Sequence, residues 1–195
     1  MNAMGLSPVR LVGPRVVVRS SAGGDARRYL DYFDRNRAHL EPWEPDHAAE
    51  FYTLSYWETR MRDHAEERAR GTLERMCIFE KPDEERIAGM ISMTEIIARA
   101  PVWRARVGYS LDQAKEGRGL MGEALALVIK YAFDDLNLKR LQAGYLPHNA
   151  RSARVLEKAG FVREGYHKDY FFVGGAWHDH IETSLINPAW KVPLI

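Results

Sequence analysis

Val107-Gly108-Tyr109-Ser110-Leu111 runs, across Asp112-Gln113-Ala114-Lys115-Glu116, into Gly117-Arg118-Gly119-Leu120-Met121-Gly122. An apolar stripe, Leu120, Ala124, Leu127, Val128, Tyr131 and Ala132, follows at helical spacing. A strand therefore feeds a glycine turn that opens a helix. Glycine lets a backbone approach a ligand closely, the first helical turn carries amides with no intrahelical acceptor, and the helix dipole favours negative charge there. Gly117 to Gly122 is thus a candidate phosphate cradle, to which Arg118 adds a charge-assisted donor. The plainer reading of the same glycines is a turn that merely starts a helix.

Outward from this stretch, Lys139 to Tyr145 reads as a strand and Asn149 to Ala159 as a helix ending at Gly160, a β-α-β-α progression. Upstream, Arg75 to Phe79, Ile87 to Ile97 and Val102 to Leu111 are apolar runs separated by hairpin-length connections, an antiparallel meander. Arg15 to Arg19 predicts a first strand, Asp25 to Leu40 a helix stopped by Pro42 and Pro45, and Tyr52 to Arg70 a second helix stopped by Gly71. Phe161 to Tyr166, Tyr170 to Val173 and Trp177 to Leu185 read as closing strands with a hairpin at Gly174-Gly175. The fold class is α/β of the mixed α+β kind.

The chain has 195 residues, 46% hydrophobic and 28% charged, enough for one ordinary core, and it shows no repeat or linker; a single domain over 1–195 is expected. With 28 Lys plus Arg against 27 Asp plus Glu, no global field gathers nucleic acid or an anionic membrane. One cysteine, Cys77, excludes an internal disulfide and fits a reducing cytoplasm; within Met76-Cys77-Ile78-Phe79 it reads as a buried, inert thiol. Met1 to Pro8 lacks a basic segment followed by an apolar one, so no secretory signal is expected. Ala124 to Ile129 is the longest apolar stretch, far short of the roughly 20 residues that span a bilayer.

Gly117 to Gly122 also satisfies Gly-x-Gly-x-x-Gly, the dinucleotide fingerprint. Three features oppose a Rossmann reading. Five residues intervene between Leu111 and the first glycine, the next strand runs into Leu146-Pro147-His148-Asn149 instead of ending in an acid, and the preceding strands form a meander. A diphosphate with a long arm fits better, the diphosphate on the amides and the arm pairing along a sheet edge, which is the form of coenzyme A.

At these residues the chain resembles the GNAT acyltransferase superfamily, and within it the RimJ/RimL type of ribosomal-protein N-terminal acetyltransferase, over nearly its whole length. The carriers are Leu40-Glu41-Pro42-Trp43-Glu44-Pro45, Val107 to Leu111, Gly117 to Leu125, Pro147-His148-Asn149-Ala150-Arg151-Ser152, and Ala159-Gly160-Phe161 with Glu164-Gly165-Tyr166. Lys168-Asp169-Tyr170 and Trp177-His178-Asp179-His180 resemble the RimJ branch. The resemblance implies a GNAT fold, a mixed, mostly antiparallel, splayed sheet flanked by helices. It also implies direct transfer from acetyl-CoA to an amine, without an acyl-enzyme and without a metal. The donor would lie along Tyr109, Ser110 and Leu111, with its diphosphate on Gly117, Arg118, Gly119, Leu120, Met121 and Gly122, and its pantetheine arm on Asn149 and Ser152. The superfamily turn carries Gln or Arg where this chain has Glu116, an acid that must face solvent or pair with a base such as Arg118.

The chemistry needs a neutral amine and a stabilised or protonated leaving thiolate. A protein amino terminus, with an ordinary pKa near 7.7 to 8.0 against about 10.4 for lysine, needs only a mild base acting through water. Asp169 matches the position of the RimL type's proposed basic carboxylate, Glu95 late in the third meander strand is the second candidate, and Ser152 matches a serine proposed to attend the departing sulfur. Trp43, Glu44, Tyr170 and His180 are candidate acceptor contacts, on the protein amino terminus of an alanine-starting ribosomal protein. His178 and His180 share a strand face that could hold a metal with Asp169; rim histidines satisfied by neighbours are the plainer reading. Two alternatives stay open: a small amine such as a polyamine or antibiotic as acceptor, and a non-catalytic CoA-binding or ribosome-associated module. The expected state is a monomer or homodimer, with no direct contact to nucleic acid or membrane.

Overall fold

A computed structural model describes residues 5–193 of the chain. The segment read for a secretory signal begins outside them, at Met1 to Met4. One eight-stranded sheet carries four helices: β1 (Arg10–Val12), β2 (Val16–Ser20), α1 (Ala26–Leu40), α2 (Leu54–Ala69), β3 (Glu74–Glu80), β4 (Ile87–Arg99), β5 (Val102–Leu111), α3 (Leu120–Lys130), β6 (Arg140–Tyr145), α4 (Ala150–Lys158), β7 (Val162–Val173) and β8 (Ala176–Ile186). The strand order is β1-β2-β3-β4-β5-β6-β8-β7. Every pairing is antiparallel except β5 with β6.

The meander expected upstream is β3-β4-β5, and Ile78, Met76 and Ile91 on it are fully or almost fully buried. Alternation along the strands sorts side chains onto two cores. Val16, Val18, Met76, Ile78, Ala105, Val107 and Leu141 pack with the α3 stripe Leu120, Ala124 and Val128, and with Leu156 of α4. Val17, Cys77, Phe79 and Ile87 pack on the opposite face with Tyr29, Tyr32 and Phe33 of α1 and Trp57 and Met61 of α2. Cys77 is fully buried there, and burial pushes its thiol up to about 12, so it is no nucleophile at neutral pH.

The sequence reading needs correction at three places. The first strand expected at Arg15 to Arg19 is Val16–Ser20, and a shorter strand, β1, precedes it with Leu11 opposite Val18. Three residues carry too little periodicity to announce a strand; it exists because β2 offers a free edge. The helix expected from Tyr52 begins at Leu54, where the Thr53 Oγ1 accepts the Tyr56 N–H at 3.3 Å and caps the first turn. The strands read separately at Phe161 to Tyr166 and Tyr170 to Val173 are one strand, β7. Between the pairs His167/His180 and Phe171/His178 its register slips, and Asp169 there adopts a φ of 47°. The irregularity is a bulge within a continuous ladder, so the polar residues that looked like a break never leave the sheet.

Candidate active site

β5 and β6 pair only from Arg104 to Arg106 against Arg140 to Gln142. Beyond that point β5 is held to β4 as far as Gly89/Leu111, and β6 to β8 as far as Tyr145/Ile181. Each strand follows its outer neighbour, so the inner edges part and leave a wedge with unpaired main-chain groups of Val107 to Leu111 along one wall. An extended arm bearing amides can add to such an edge as a strand would.

Tyr109 and Ser152 meet across this wedge. The Tyr109 hydroxyl lies 3.0 Å from the Ser152 Oγ and 3.3 Å from its carbonyl oxygen. Burial pushes the phenol up to about 12, so Tyr109 holds its proton throughout the physiological range. Ser152 stands in the first turn of α4, where its N–H donates to the Asn149 Oδ1 at 3.0 Å. Asn149 thus caps α4. The Ser110 side chain points to the other face, where its Oγ accepts from the Tyr32 hydroxyl at 3.0 Å; Leu111 packs against the α3 core.

The glycine turn closes one end of the wedge. Gly117 and Gly119 have φ of 72° and 76°, a left-handed conformation that favours glycine, and Gly119 leads directly into α3. A methyl group at Gly117 or Gly122 would meet nothing within 4 Å, so the turn opens to space. Leu120 and Met121 are buried and contribute main chain to it, their side chains serving the core. Glu116 pairs with a base, as expected, but the base is Arg151 and not Arg118. Arg118 and Lys115 both bind Glu80, with Lys115 Nζ at 2.6 Å, and Glu116 instead receives Arg151 at 2.9 Å and His39 at 3.4 Å. Arg118 lies beside the β3 acid because β3 ends below the turn, a proximity that no sequence spacing encodes.

On the opposite face of the sheet, His180 is buried under Tyr170 and Phe171, at ring separations of 5.4 and 5.5 Å. Its ring lies against Gly144 of β6: a Cβ there would stand 2.3 Å from the His180 Cε1. Burial lowers the His180 pKa, keeping the imidazole neutral, and its Nδ1 has no hydrogen-bond partner among the described residues. Beside it, Glu182 accepts both Arg106 guanidinium nitrogens at 2.6 and 2.9 Å, and Gln142 at 3.2 Å. Reading the sequence missed Arg106, Glu182 and Gly144. They carry no motif and become neighbours only because β5, β6 and β8 lie side by side.

The two candidate bases share a backbone trait. Glu95, with φ 48°, occupies a bulge in β4 and approaches Arg104 at 3.3 Å; Asp169, with φ 47°, occupies the bulge in β7, where its N–H donates to the Asp179 Oδ1 at 3.0 Å. Non-glycine residues held in this region are strained, and such strain concentrates at functional sites. Both side chains are exposed. Trp43 lies over His148 at 5.3 Å, and Glu44 pairs with His47 at 3.2 Å beside a cavity of about 260 Å³ lined also by Phe33, Arg37 and Tyr52. His178 is engaged by the Val173 carbonyl at 3.1 Å, and no group of three His, Cys, Asp or Glu among the described residues is arranged for a metal.

The family model described as an acetyltransferase (GNAT) domain matches residues 15–162. The chain is 38% identical to the [ribosomal protein uS5]-alanine N-acetyltransferase of Escherichia coli (strain K12) over 182 residues, 93% of either protein. Its fold superposes on the ribosomal-protein-S5-alanine acetyltransferase of Vibrio fischeri with a TM-score of 0.89 at 38% identity, covering 94% of this chain and all of that one. Mycobacterium smegmatis RimJ in complex with CoA-disulfide superposes with a TM-score of 0.83 at 25% identity, over 98% of this chain and 90% of that one. A parted β5/β6 pair, an open glycine turn leading into α3 and these likenesses agree: the chain belongs to the GNAT family of N-acetyltransferases.

Proposed function

We propose that the protein transfers the acetyl group of acetyl-CoA directly to the α-amine of a protein amino terminus, that of an alanine-starting ribosomal protein, working in the cytoplasm as a single catalytic domain without a metal. The observation that carries the choice of acceptor is the 38% identity, over 93% of both chains, to an enzyme whose name states an alanine of ribosomal protein uS5 as its acceptor.

In this reading the thioester arm lies along the inner edge of β5, and its diphosphate meets the amides of Gly117 to Gly122. Asn149 caps α4 with its Oδ1, and among the described residues its amide nitrogen meets no protein acceptor, which leaves it for the arm. The acceptor amine enters from the face of His180, Tyr170 and Trp43. Asp169 or Glu95 takes the amine proton through water, the nitrogen bonds to the thioester carbonyl carbon, and the carbon–sulfur bond breaks. The departing thiolate takes a proton from the Tyr109–Ser152 hydroxyl pair, which holds protons to hand at neutral pH. A terminal amine, with an ordinary pKa near 7.7 to 8.0, is deprotonated in a substantial fraction at neutral pH, so an exposed carboxylate suffices as base.

The test measures thiol release from acetyl-CoA with a peptide beginning in free alanine, beside the same peptide already acetylated and beside spermidine. Release with the free peptide alone supports the proposal. Release with spermidine and not with the peptide assigns a small-amine acceptor, and binding of acetyl-CoA without release for any amine assigns a non-catalytic module.

A further inference from the structure

The bases around the glycine turn are tethered by carboxylates, but not equivalently. Glu80 takes Arg118 through both terminal nitrogens, and Glu123 takes the Arg15 Nε at 2.8 Å while the Arg15 Nη1 donates to the Arg118 carbonyl at 2.8 Å. Each of those guanidinium groups has at least two of its nitrogens on protein acceptors. Arg151 differs. Only its Nη1 is engaged, shared between the two Glu116 oxygens at 2.9 and 3.1 Å, and 63% of its side chain is exposed. Among the described residues its Nε and Nη2 meet no protein acceptor.

Glu116 is itself fixed. It directly precedes Gly117, and on its other side His39, from the last turn of α1, stands 3.4 Å away. A bare carboxylate here would repel an incoming diphosphate, and partial burial would strengthen that repulsion. With one edge of a guanidinium on the carboxylate, the remaining donors of that rigid fork face outward, where an anion seated on the turn would find them.

We propose that Glu116 is a positioning residue for the donor: it holds Arg151, carried by the first turn of α4, beside Gly117 so that the free Nε and Nη2 take the diphosphate of acetyl-CoA. This rests on the acetyl-CoA reading of the site. Glu116 touches no reacting atom; it acts through Arg151. Without the carboxylate, an arginine this exposed spreads over many rotamers and is absent from the turn most of the time.

The experiment is a double-mutant cycle on the full chain, reading the acetyl-CoA dissociation constant by calorimetry and KM and kcat with the alanine peptide. Arg151→Ala and Glu116→Gln are each expected to raise the dissociation constant and KM for acetyl-CoA about tenfold, with kcat at saturation changed much less. In the Arg151→Ala background, Glu116→Gln should add less than about twofold, since nothing remains to be held. Arg151→Lys should recover part of the affinity by charge alone. If Glu116→Gln binds acetyl-CoA as tightly as the parent or tighter, or if the two effects multiply, the positioning role is wrong even though the site stands. If the parent protein itself shows no binding, the acetyl-CoA reading falls and takes this inference with it.

Discussion

The Tyr109 hydroxyl, carried by β5, lies 3.0 Å from the Ser152 hydroxyl, carried by α4, and this contact joins the two sides of the wedge past the point where β5 and β6 part. Two hydroxyls in contact form a donor relay: whichever faces the sulfur can be reprotonated by the other. Tyr109→Phe is therefore expected to lower kcat about 10²-fold with a small change in KM for acetyl-CoA. Ser152→Ala should cost less, about tenfold, because Tyr109 remains. As the Tyr109 pKa is pushed up to about 12, the parent enzyme should show no falling limb from this group below pH 11. Equal, small losses in both variants would remove the pair from proton transfer.

Asp169→Asn separates the two candidate bases. Asparagine keeps the shape and tolerates the left-handed backbone that Asp169 adopts, so melting temperature should be unchanged while kcat falls by about 10² or more. Glu95→Gln, whose parent side chain leans on Arg104 at 3.3 Å, should lower kcat by less than about fivefold. The reverse ranking, measured with the alanine peptide, would move the base from β7 to β4.

Gly144→Ala tests the wall behind the proposed acceptor site. The added methyl would stand 2.3 Å from the His180 Cε1 and 2.6 Å from its Nδ1, and Tyr170 and Phe171 block the ring's retreat. Overpacking of this kind costs about 1–3 kcal/mol and should lower the melting temperature by several degrees while raising KM for the peptide. Gly108→Ala, where the nearest atom is the Ser92 Oγ at 3.7 Å, should melt close to the parent. Indistinguishable melting of the two variants would refute the contact.

Far from the wedge, two buried groups set opposing pH slopes. Burial lifts the Glu74 carboxyl to about 7, outweighing Arg68, which stands 3.6 Å away. Burial also lowers the His64 imidazole to about 3, with Arg75, Arg60 and Arg68 adding to the shift. Between the ordinary Glu value of 4.5 and the ordinary His value of 6.5, the folded chain carries the Glu74 proton and the unfolded chain carries the His64 proton. The two terms cancel, so these groups leave stability flat there. From 6.5 to about 7 only the Glu74 difference remains, and stability falls as pH rises. Glu74→Gln should remove that fall and expose His64 alone. Its stability should then drop by about 1.4 kcal/mol per pH unit as pH decreases below 6.5. Denaturant titrations at pH 5, 6 and 8 check this; a Glu74→Gln variant as flat as the parent from pH 5 to 6 would contradict it.

How much was legible follows from the range of the interactions involved. The strand-turn-helix passage from Val107 to Lys130, the Asn149 cap and the burial of Cys77 are local: period, capping chemistry and glycine φ act within a few residues, and the linear order displays them. The resemblance drew on that passage together with Leu40 to Pro45, Pro147 to Ser152 and Ala159 to Tyr166, all of them short local patterns, and pointed to the proposed acetyl-CoA site. The bulges that hold Glu95 and Asp169 were invisible, since a bulge is a mismatch between two strands and belongs to neither alone.

The order of residues by itself determined the alternation of helices and strands, the glycine turn and the near-neutral charge. Tertiary structure alone decided that β5 and β6 part after Arg106, that Arg106 meets Glu182 across 76 positions, and that Glu116 takes Arg151 while Arg118 goes to Glu80. The physical reason is that an ion pair's strength depends on distance in space and on the dielectric between its charges. Both quantities exist only once the sheet has brought remote strands to within a few ångströms.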